Sequence, residues 1–259
     1  MGLLHQQNEG IIGNRGIQAS PGLDLTGGTL EFYLDGTSFT EKYSGNTATQ
    51  FTTPVTLDSD NPFEIAGKQS YKFDGGGSGC GLVFPHAANN DLHLMGTSQG
   101  GYTLSYWINW AGPSTHSGFH CLYAKRDGGG TQDETFLMSS THWIASYNGS
   151  QYADWRTRPP LGGWVHILDE YGGGGKRTYL NGQKVFETTY SVSYANGPAF
   201  AVGSINSSGE GFVGKIADFA IFGGQPNVFG GFGNSFSPIS IPVLGENVVP
   251  LGIQQTKTI

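Results

Sequence analysis

The chain has 259 residues, of which 43 are Gly and 12 are Pro, and its charged residues make up only 13%. Because Gly costs about 1 kcal/mol in a helix interior, this composition favours short strands and tight turns over helices. With 13 basic and 20 acidic residues the net charge is −7, which argues against nucleic acid as a partner, and no apolar run is long enough for a membrane span.

The first segment, residues 1–28, holds three charged side chains and shows no lasting strand or helix period. We therefore expect an extended N-terminal arm. The beginning of the chain also lacks the basic residues and the apolar run of a secretory signal, which predicts a protein used without Sec export.

The folded body is predicted at 29–222, where short alternating runs are separated by Gly, Asn, Asp and Pro. This pattern is typical of an antiparallel β-sandwich. Its clearest strand is 102–110, a half-buried strand with Thr103, Ser105, Trp107 and Asn109 on the outer face. The residues expected on its core face are Tyr102, Leu104, Tyr106, Ile108 and Trp110.

A β-hairpin is predicted farther along the chain, where 176–180 leads into Asn181-Gly182 and 183–187 leaves it. Asn-Gly favours a type I′ turn because both central residues need positive φ. Another strand is predicted at 164–168, before a turn at 172–175.

The last segment, 223–259, is apolar, and its prolines prevent a helix. Ordering an extended segment costs conformational entropy, so we expect this C-terminal arm to bind the surface of a neighbouring subunit. The residues expected to make the assembly contacts are Phe229, Phe232, Phe236, Ile239, Ile241, Val243, Leu244, Val248, Val249 and Leu251.

Five motifs occur in order within the body, at 71–75, 102–108, 163–167, 178–183 and 212–222. Together they resemble the laminin G-like, concanavalin A-like jelly-roll domain. The resemblance implies two packed antiparallel sheets, with Trp107 and Trp164 supporting the sandwich and Gly214 where a strand begins. Asn181 and Ala217 stand where the family often has Asp, which weakens the expectation of a calcium site at the rim.

Catalysis is not predicted, although the resemblance includes sandwich glucanases. Those enzymes carry two Glu flanking an Asp at alternate strand positions, with the acid and the nucleophile about 5 Å apart. The chain has no such triplet. Asp133-Glu134 and Asp169-Glu170 are adjacent in sequence, so in a strand each pair points to opposite faces.

The sequence alone does not decide whether the chain has a calcium site or a disulfide. Asp127, Asp133 and Glu134 form a candidate calcium site, although solvated turn carboxylates are the favoured explanation of this cluster; no other cofactor is expected. Cys80 and Cys121 fall in strand-like runs and either pair or remain buried thiols. The second alternative is favoured in a protein that is not exported.

The segment 147–156 is the candidate glycan-binding loop. Aromatic faces stack on sugar rings, while amides and carboxylates bind hydroxyl groups. The residues chosen on this basis are Tyr147, Tyr152, Trp155 and Arg156. The alternative is that Tyr147 and Trp155 cap the edge of the sandwich or fill an interface.

The layout of a jelly roll with two long arms predicts a virion structural protein, either a phage capsid-decorating (cement) protein or a fibre component. Arms buried on neighbouring subunits make weak contacts multivalent. The expected partners are copies of the chain, with a trimer as the default symmetry, and other virion proteins. The alternative function is a lectin-like adhesion module that binds host or surface polysaccharide.

Overall fold

The computed structural model describes the chain at 28–42, 45–51, 53–63, 67–75, 80–84, 102–112, 119–126, 132–138, 143–147, 152–154, 159–172, 175–188, 199–205 and 210–224. Within these ranges the chain forms strands and contains no helix, and so no helix long and apolar enough to cross a membrane. The strands are β1 (Gly28–Leu34), β2 (Thr49–Gln50), β3 (Thr56–Asp58), β4 (Ser70–Asp74), β5 (Leu82–Phe84), β6 (Tyr102–Trp110), β7 (Phe119–Arg126), β8 (Gln132–Met138), β9 (Trp143–Tyr147), β10 (Tyr152–Asp154), β11 (Trp164–Gly172), β12 (Gly175–Leu180), β13 (Gln183–Thr188), β14 (Phe200–Val202) and β15 (Val213–Gly224).

The strands make two sheets. The first sheet has the order β13-β12-β11-β6-β15-β4-β3, with β1 also paired to β15, and the second has the order β10-β9-β8-β7-β14-β5-β2. All strand pairs within them are antiparallel. The predicted all-β, antiparallel sandwich is therefore confirmed.

The centre of the first sheet is β15, which pairs with three strands. Its residues 213–216 pair with β4 and its residues 219–224 pair with β1, while its other edge follows β6. The register shifts between Ala217 and Ala220, and Asp218 within this bulge has a φ of +54°.

The core lies between the sheets and is rich in aromatic rings. Phe32 of β1 packs edge-on against Phe84 of β5, with ring centroids 4.8 Å apart, and against Phe219 of β15 at 6.1 Å. All five inward residues predicted for β6 are buried in this cluster. Burial of such apolar surface is the main stabilising contribution to a sandwich.

The outer face of β6 differs from the predicted half-buried pattern. Thr103 and Ser105 are buried as well, because Phe222 and Ala220 stand opposite them on β15 and form a small apolar cluster with Tyr33. Among the tryptophans whose side chains are described, Trp110 is the one buried in the core.

Trp107 and Trp164, which the resemblance implied would support the sandwich, lie instead on this outer face and remain partly exposed. They do so because Trp107 alternates with the inward residues of β6, and Trp164 alternates with the inward Val165 of β11.

The local turn predictions are confirmed. Asn181 and Gly182 join β12 to β13 with φ values of +48° and +78°, as a type I′ turn requires. The strand predicted at 164–168 extends to Gly172, and Gly172 pairs with Gly175 at the predicted turn. Gly214 stands at the beginning of β15, where a Cβ atom would lie only 2.2 Å from the carbonyl oxygen of Asn109.

Candidate functional site

The predicted glycan-binding loop is partly a hairpin. Tyr147 ends β9 and Tyr152 begins β10, and the two residues are direct register partners. The loop interpretation was therefore wrong for 152–154, and the pairing brings the two tyrosine positions together at the end of the hairpin. The other two glycan candidates, Trp155 and Arg156, lie outside the described residues.

The calcium and assembly predictions involve residues that are described only in part. Asp133 and Glu134 belong to β8, opposite Lys125 and Ala124 of β7, and Asp127 lies outside the described residues. Within the described part of the chain, no three His, Cys, Asp or Glu side chains are grouped closely enough to hold a metal ion. The assembly residues between 229 and 251 also lie outside it.

Both cysteines are buried and neither forms a disulfide. Burial raises the pKa of the Cys80 thiol, and the Cys121 thiol donates a hydrogen bond to the carbonyl oxygen of Tyr123 at 3.1 Å. The interpretation as two buried thiols is confirmed.

A polar and aromatic row that the sequence did not predict crosses the outer face of the first sheet. Lys72 of β4 pairs with Lys215 of β15, Lys215 pairs with Asn109 of β6, and Asn109 pairs with Trp164 of β11. We call these four residues the outer row. Neighbouring strands are about 4.8 Å apart, so the outer row is roughly 14 Å long.

Two carboxylates from the segment around the end of β3 contact the outer row. The Lys215 ammonium lies 3.0 Å from Asp58 Oδ1 and 2.9 Å from Asp60 Oδ2, and the Trp164 indole N–H donates to Asp60 Oδ1 at 3.1 Å. The hydrogen bonds from Trp164 and Lys215 lower the pKa of Asp60, and the backbone N–H of Asp60 lowers that of Asp58. Both side chains are therefore acceptors at neutral pH rather than acids.

This surface is open to solvent. The side chain of Asp60 is 48% exposed, and Trp164 and Asn109 are partly exposed. Leu161, three residues before Trp164, forms a backbone bridge with Trp110; it is 54% exposed and is the single exposed large hydrophobic residue in the described part of the chain. No local sequence signal marks this arrangement, because Asp60 and Trp164 are 104 residues apart.

A polar cluster between the sheets has no comparable exposure. Asp169 points inward, where its carboxylate accepts hydrogen bonds from Thr178, Tyr106 and Tyr123 and lies 3.6 Å from the Lys176 ammonium. The Asp169 and Lys176 side chains are both 0% exposed, so a ligand from solvent does not reach them. The network satisfies a buried ion pair inside the sandwich.

Glu170 points outward, as the alternation with Asp169 predicts. It is buried, and burial raises the pKa of its carboxyl group to about 7, although the Arg177 guanidinium 3.5 Å away acts in the opposite direction. Glu170 therefore exchanges a proton near neutral pH.

Comparison with known proteins places this architecture in a family. The Laminin_G_3 profile, described as the concanavalin A-like lectin/glucanases superfamily, matches residues 84–227, which is 144 of the 259 residues. The chain belongs to the concanavalin A-like lectin/glucanase superfamily. No curated protein matches it in sequence.

Several solved structures share the concanavalin A-like fold with this chain. One of them is domain 4 of AbnA, a GH43 extracellular arabinanase from Geobacillus stearothermophilus, which was solved in complex with arabinotriose. It is 16% identical to this chain, with a TM-score of 0.58, and the match covers 79% of this chain and 98% of that domain. Trypanosoma rangeli sialidase in complex with sialic acid is 14% identical, with a TM-score of 0.57 over 80% of this chain and 32% of the sialidase.

A third structure is that of botulinum neurotoxin type C, from work on cell entry through two ganglioside molecules. It is 12% identical, with a TM-score of 0.55 over 79% of this chain and 50% of the toxin chain. The concanavalin A-like chain thus spans nearly all of the arabinanase domain, about a third of the sialidase and half of the neurotoxin chain. At these identities the likeness shows the fold alone.

Proposed function

We propose that this chain is a carbohydrate-binding module that binds glycans without hydrolysing them. The observation that carries the proposal is the register pairing of Tyr147 with Tyr152, which brings two aromatic positions to one end of the β9–β10 hairpin. Two neighbouring aromatic residues suit the apolar face of a sugar ring. Membership of a superfamily of lectins and glucanases is consistent with this.

The neighbouring structures support the same class of ligand. The domain of the arabinanase that this fold covers almost completely was solved with arabinotriose, and the sialidase was solved with sialic acid. The absence of catalysis is part of the proposal, because Asp169 and Glu170 lie on opposite sides of the first sheet and do not form a carboxylate pair.

A glycan array with the full chain, followed by titration calorimetry on the best ligand, tests this function. We expect Tyr147→Ala and Tyr152→Ala each to weaken binding roughly 3- to 10-fold, because an aromatic contact contributes about 0.5–1.5 kcal/mol. The matched variants Tyr147→Phe and Tyr152→Phe keep a ring and should retain most of the affinity. If the native chain binds no glycan at millimolar concentration, the proposal is wrong.

The role in a virion stays a prediction, since it depends on the C-terminal arm. It is compatible with glycan binding, because a decorating subunit that binds sugars would serve attachment. Deletion of 225–259 leaves β15 intact and is expected to abolish oligomer or particle association while glycan binding continues. Association of the truncated chain at native affinity would contradict the assembly role.

A further inference from the structure

We propose that the outer row, with Asp58 and Asp60 beside it, is a second glycan-binding surface that takes a short neutral oligosaccharide. The inference rests on the proposed carbohydrate-binding function and adds a site on the opposite side of the first sheet from the core. The hairpin at 147–154 belongs to the second sheet, so the two surfaces are separate.

Trp164 is the aromatic platform of this surface. Its indole N–H is occupied by Asp60 Oδ1 at 3.1 Å, so the ring is held in one orientation while part of it remains exposed. An aromatic side chain that is already fixed loses little conformational entropy when a sugar ring stacks on it.

The polar groups that flank Trp164 suit hydroxyl groups. A carboxylate offers about four acceptor sites, and the partly exposed Asp58 and Asp60 have capacity beyond their bonds to Lys215 and Trp164. The Asn109 side chain, which lies between Lys215 and Trp164 in the row, can both donate and accept. Donors and acceptors are therefore both present along roughly 14 Å, the scale of a short oligosaccharide.

The charge of the surface favours a neutral ligand. Lys215 is bound by two carboxylates, and Lys72 is paired with Asp74 at 3.3 Å, so the three acidic side chains outnumber the two basic ones. An acidic sugar would bring its carboxylate close to Asp58 and Asp60 without a free cation to receive it. We therefore expect neutral oligosaccharides to bind in preference to sialylated or uronic ones.

The same contacts also clamp the segment around Asp58 and Asp60 onto the sheet, so the test must separate binding from a purely structural role. Asn109→Ala removes a polar group of the outer row that none of these ion pairs needs, and Trp164→Phe keeps a ring but loses the hydrogen bond to Asp60. Lys184→Met on β13 is the matched control, since Lys184 lies on the same sheet and pairs only with Glu187 among the ion pairs described.

Titration calorimetry with neutral arabino-, gluco- and galacto-oligosaccharides, and with sialylated and uronic counterparts, gives the affinities, while thermal unfolding reports stability. We expect Asn109→Ala to weaken neutral binding at least 5-fold with an unchanged melting temperature, and Lys184→Met to leave both unchanged. The Trp164 indole N–H signal, assigned by its loss in Trp164→Phe, should shift on titration of native protein.

The outcomes distinguish the two proposals. If Asn109→Ala binds as the native chain does while Tyr147→Ala and Tyr152→Ala lose affinity, the carbohydrate-binding function stands and the second surface is wrong. A Trp164 signal that does not move at saturating oligosaccharide also overturns the second surface. If the native chain binds none of the sugars, both proposals fail.

Discussion

Lys68 Nζ lies 2.6 Å from Asp218 Oδ1, and the two side chains are only 4% and 2% exposed. The Tyr33 hydroxyl donates to the same carboxylate oxygen at 2.5 Å. Asp218 occupies the bulge of β15, where the backbone has a positive φ. The ion pair therefore joins β1, the residues before β4 and the bulge of the central strand.

Removing one partner of this ion pair should be strongly destabilising. We expect Lys68→Met to lower the free energy of unfolding by about 3–5 kcal/mol, because it leaves the Asp218 carboxylate buried without its cation. Adding Asp218→Asn, which tolerates positive φ, should recover part of the loss. Urea denaturation of both variants measures the effect, and a loss below about 1 kcal/mol in Lys68→Met would contradict it.

Glu170 should make the fold less stable as pH rises. Its pKa is raised to about 7, so the unfolded carboxyl ionises first and the penalty for burying the charge develops as pH rises from about 4.5 to 7. As pH rises from 5 to 8, the free energy of unfolding of Glu170→Gln should therefore increase by on the order of 2 kcal/mol relative to that of the native chain. Urea titrations across that range measure the gain. Glu187→Gln, at an exposed site, is the control that should show no such gain.

His166 should have the opposite pH dependence. Burial lowers its pKa to about 3, so the neutral ring is retained in the folded chain while the unfolded chain takes up a proton below about 6.5. Its Nε2 lies 2.9 Å from Ser105 Oγ, a contact that an amide can replace. As pH falls from 7.5 to 5, the free energy of unfolding of His166→Gln should increase by about 2 kcal/mol relative to that of the native chain. Urea denaturation at several pH values measures the difference. If the free energies of unfolding of His166→Gln and of the native chain change in parallel over this pH range, the prediction is wrong.

Gly203 should not tolerate a side chain. Its φ is +77°, and a Cβ atom would lie 2.1 Å from Cε1 of Phe73 in the core. We expect Gly203→Ala to cost about 2–5 kcal/mol from backbone strain and overpacking together. Gly45 shares a positive φ of +75° but has no atom within 4 Å of the added Cβ, so Gly45→Ala isolates the strain. Equal losses in the two variants would show that the Phe73 contact is unimportant.

Features determined by local sequence were predictable. Strict alternation in β6 predicted which of its residues enter the core, and Asn181-Gly182 predicted the turn between β12 and β13. Both depend on backbone geometry within a few residues. The β9–β10 hairpin was missed because β10 has only three residues, which is too short for a recognisable period.

Features that join distant residues were not predictable in the same way. The outer row is assembled from four strands, and its hydrogen bond between Trp164 and Asp60 spans 104 residues. The burial of Glu170 and His166 likewise depends on what packs over the outer face of the sheet, whereas their own strand shows only that they alternate with core residues.

The central position of β15 has a consequence for biosynthesis. The strand that joins β1, β4 and β6 ends at Gly224, so the middle of the first sheet stays open until residues 213–224 have left the ribosome. Until then β1 and β4 have unpaired backbone edges that are free to associate with other nascent chains. Pairing between residues almost 200 positions apart also makes folding slow, so this domain should depend on chaperones more than a protein of equal size with local contacts.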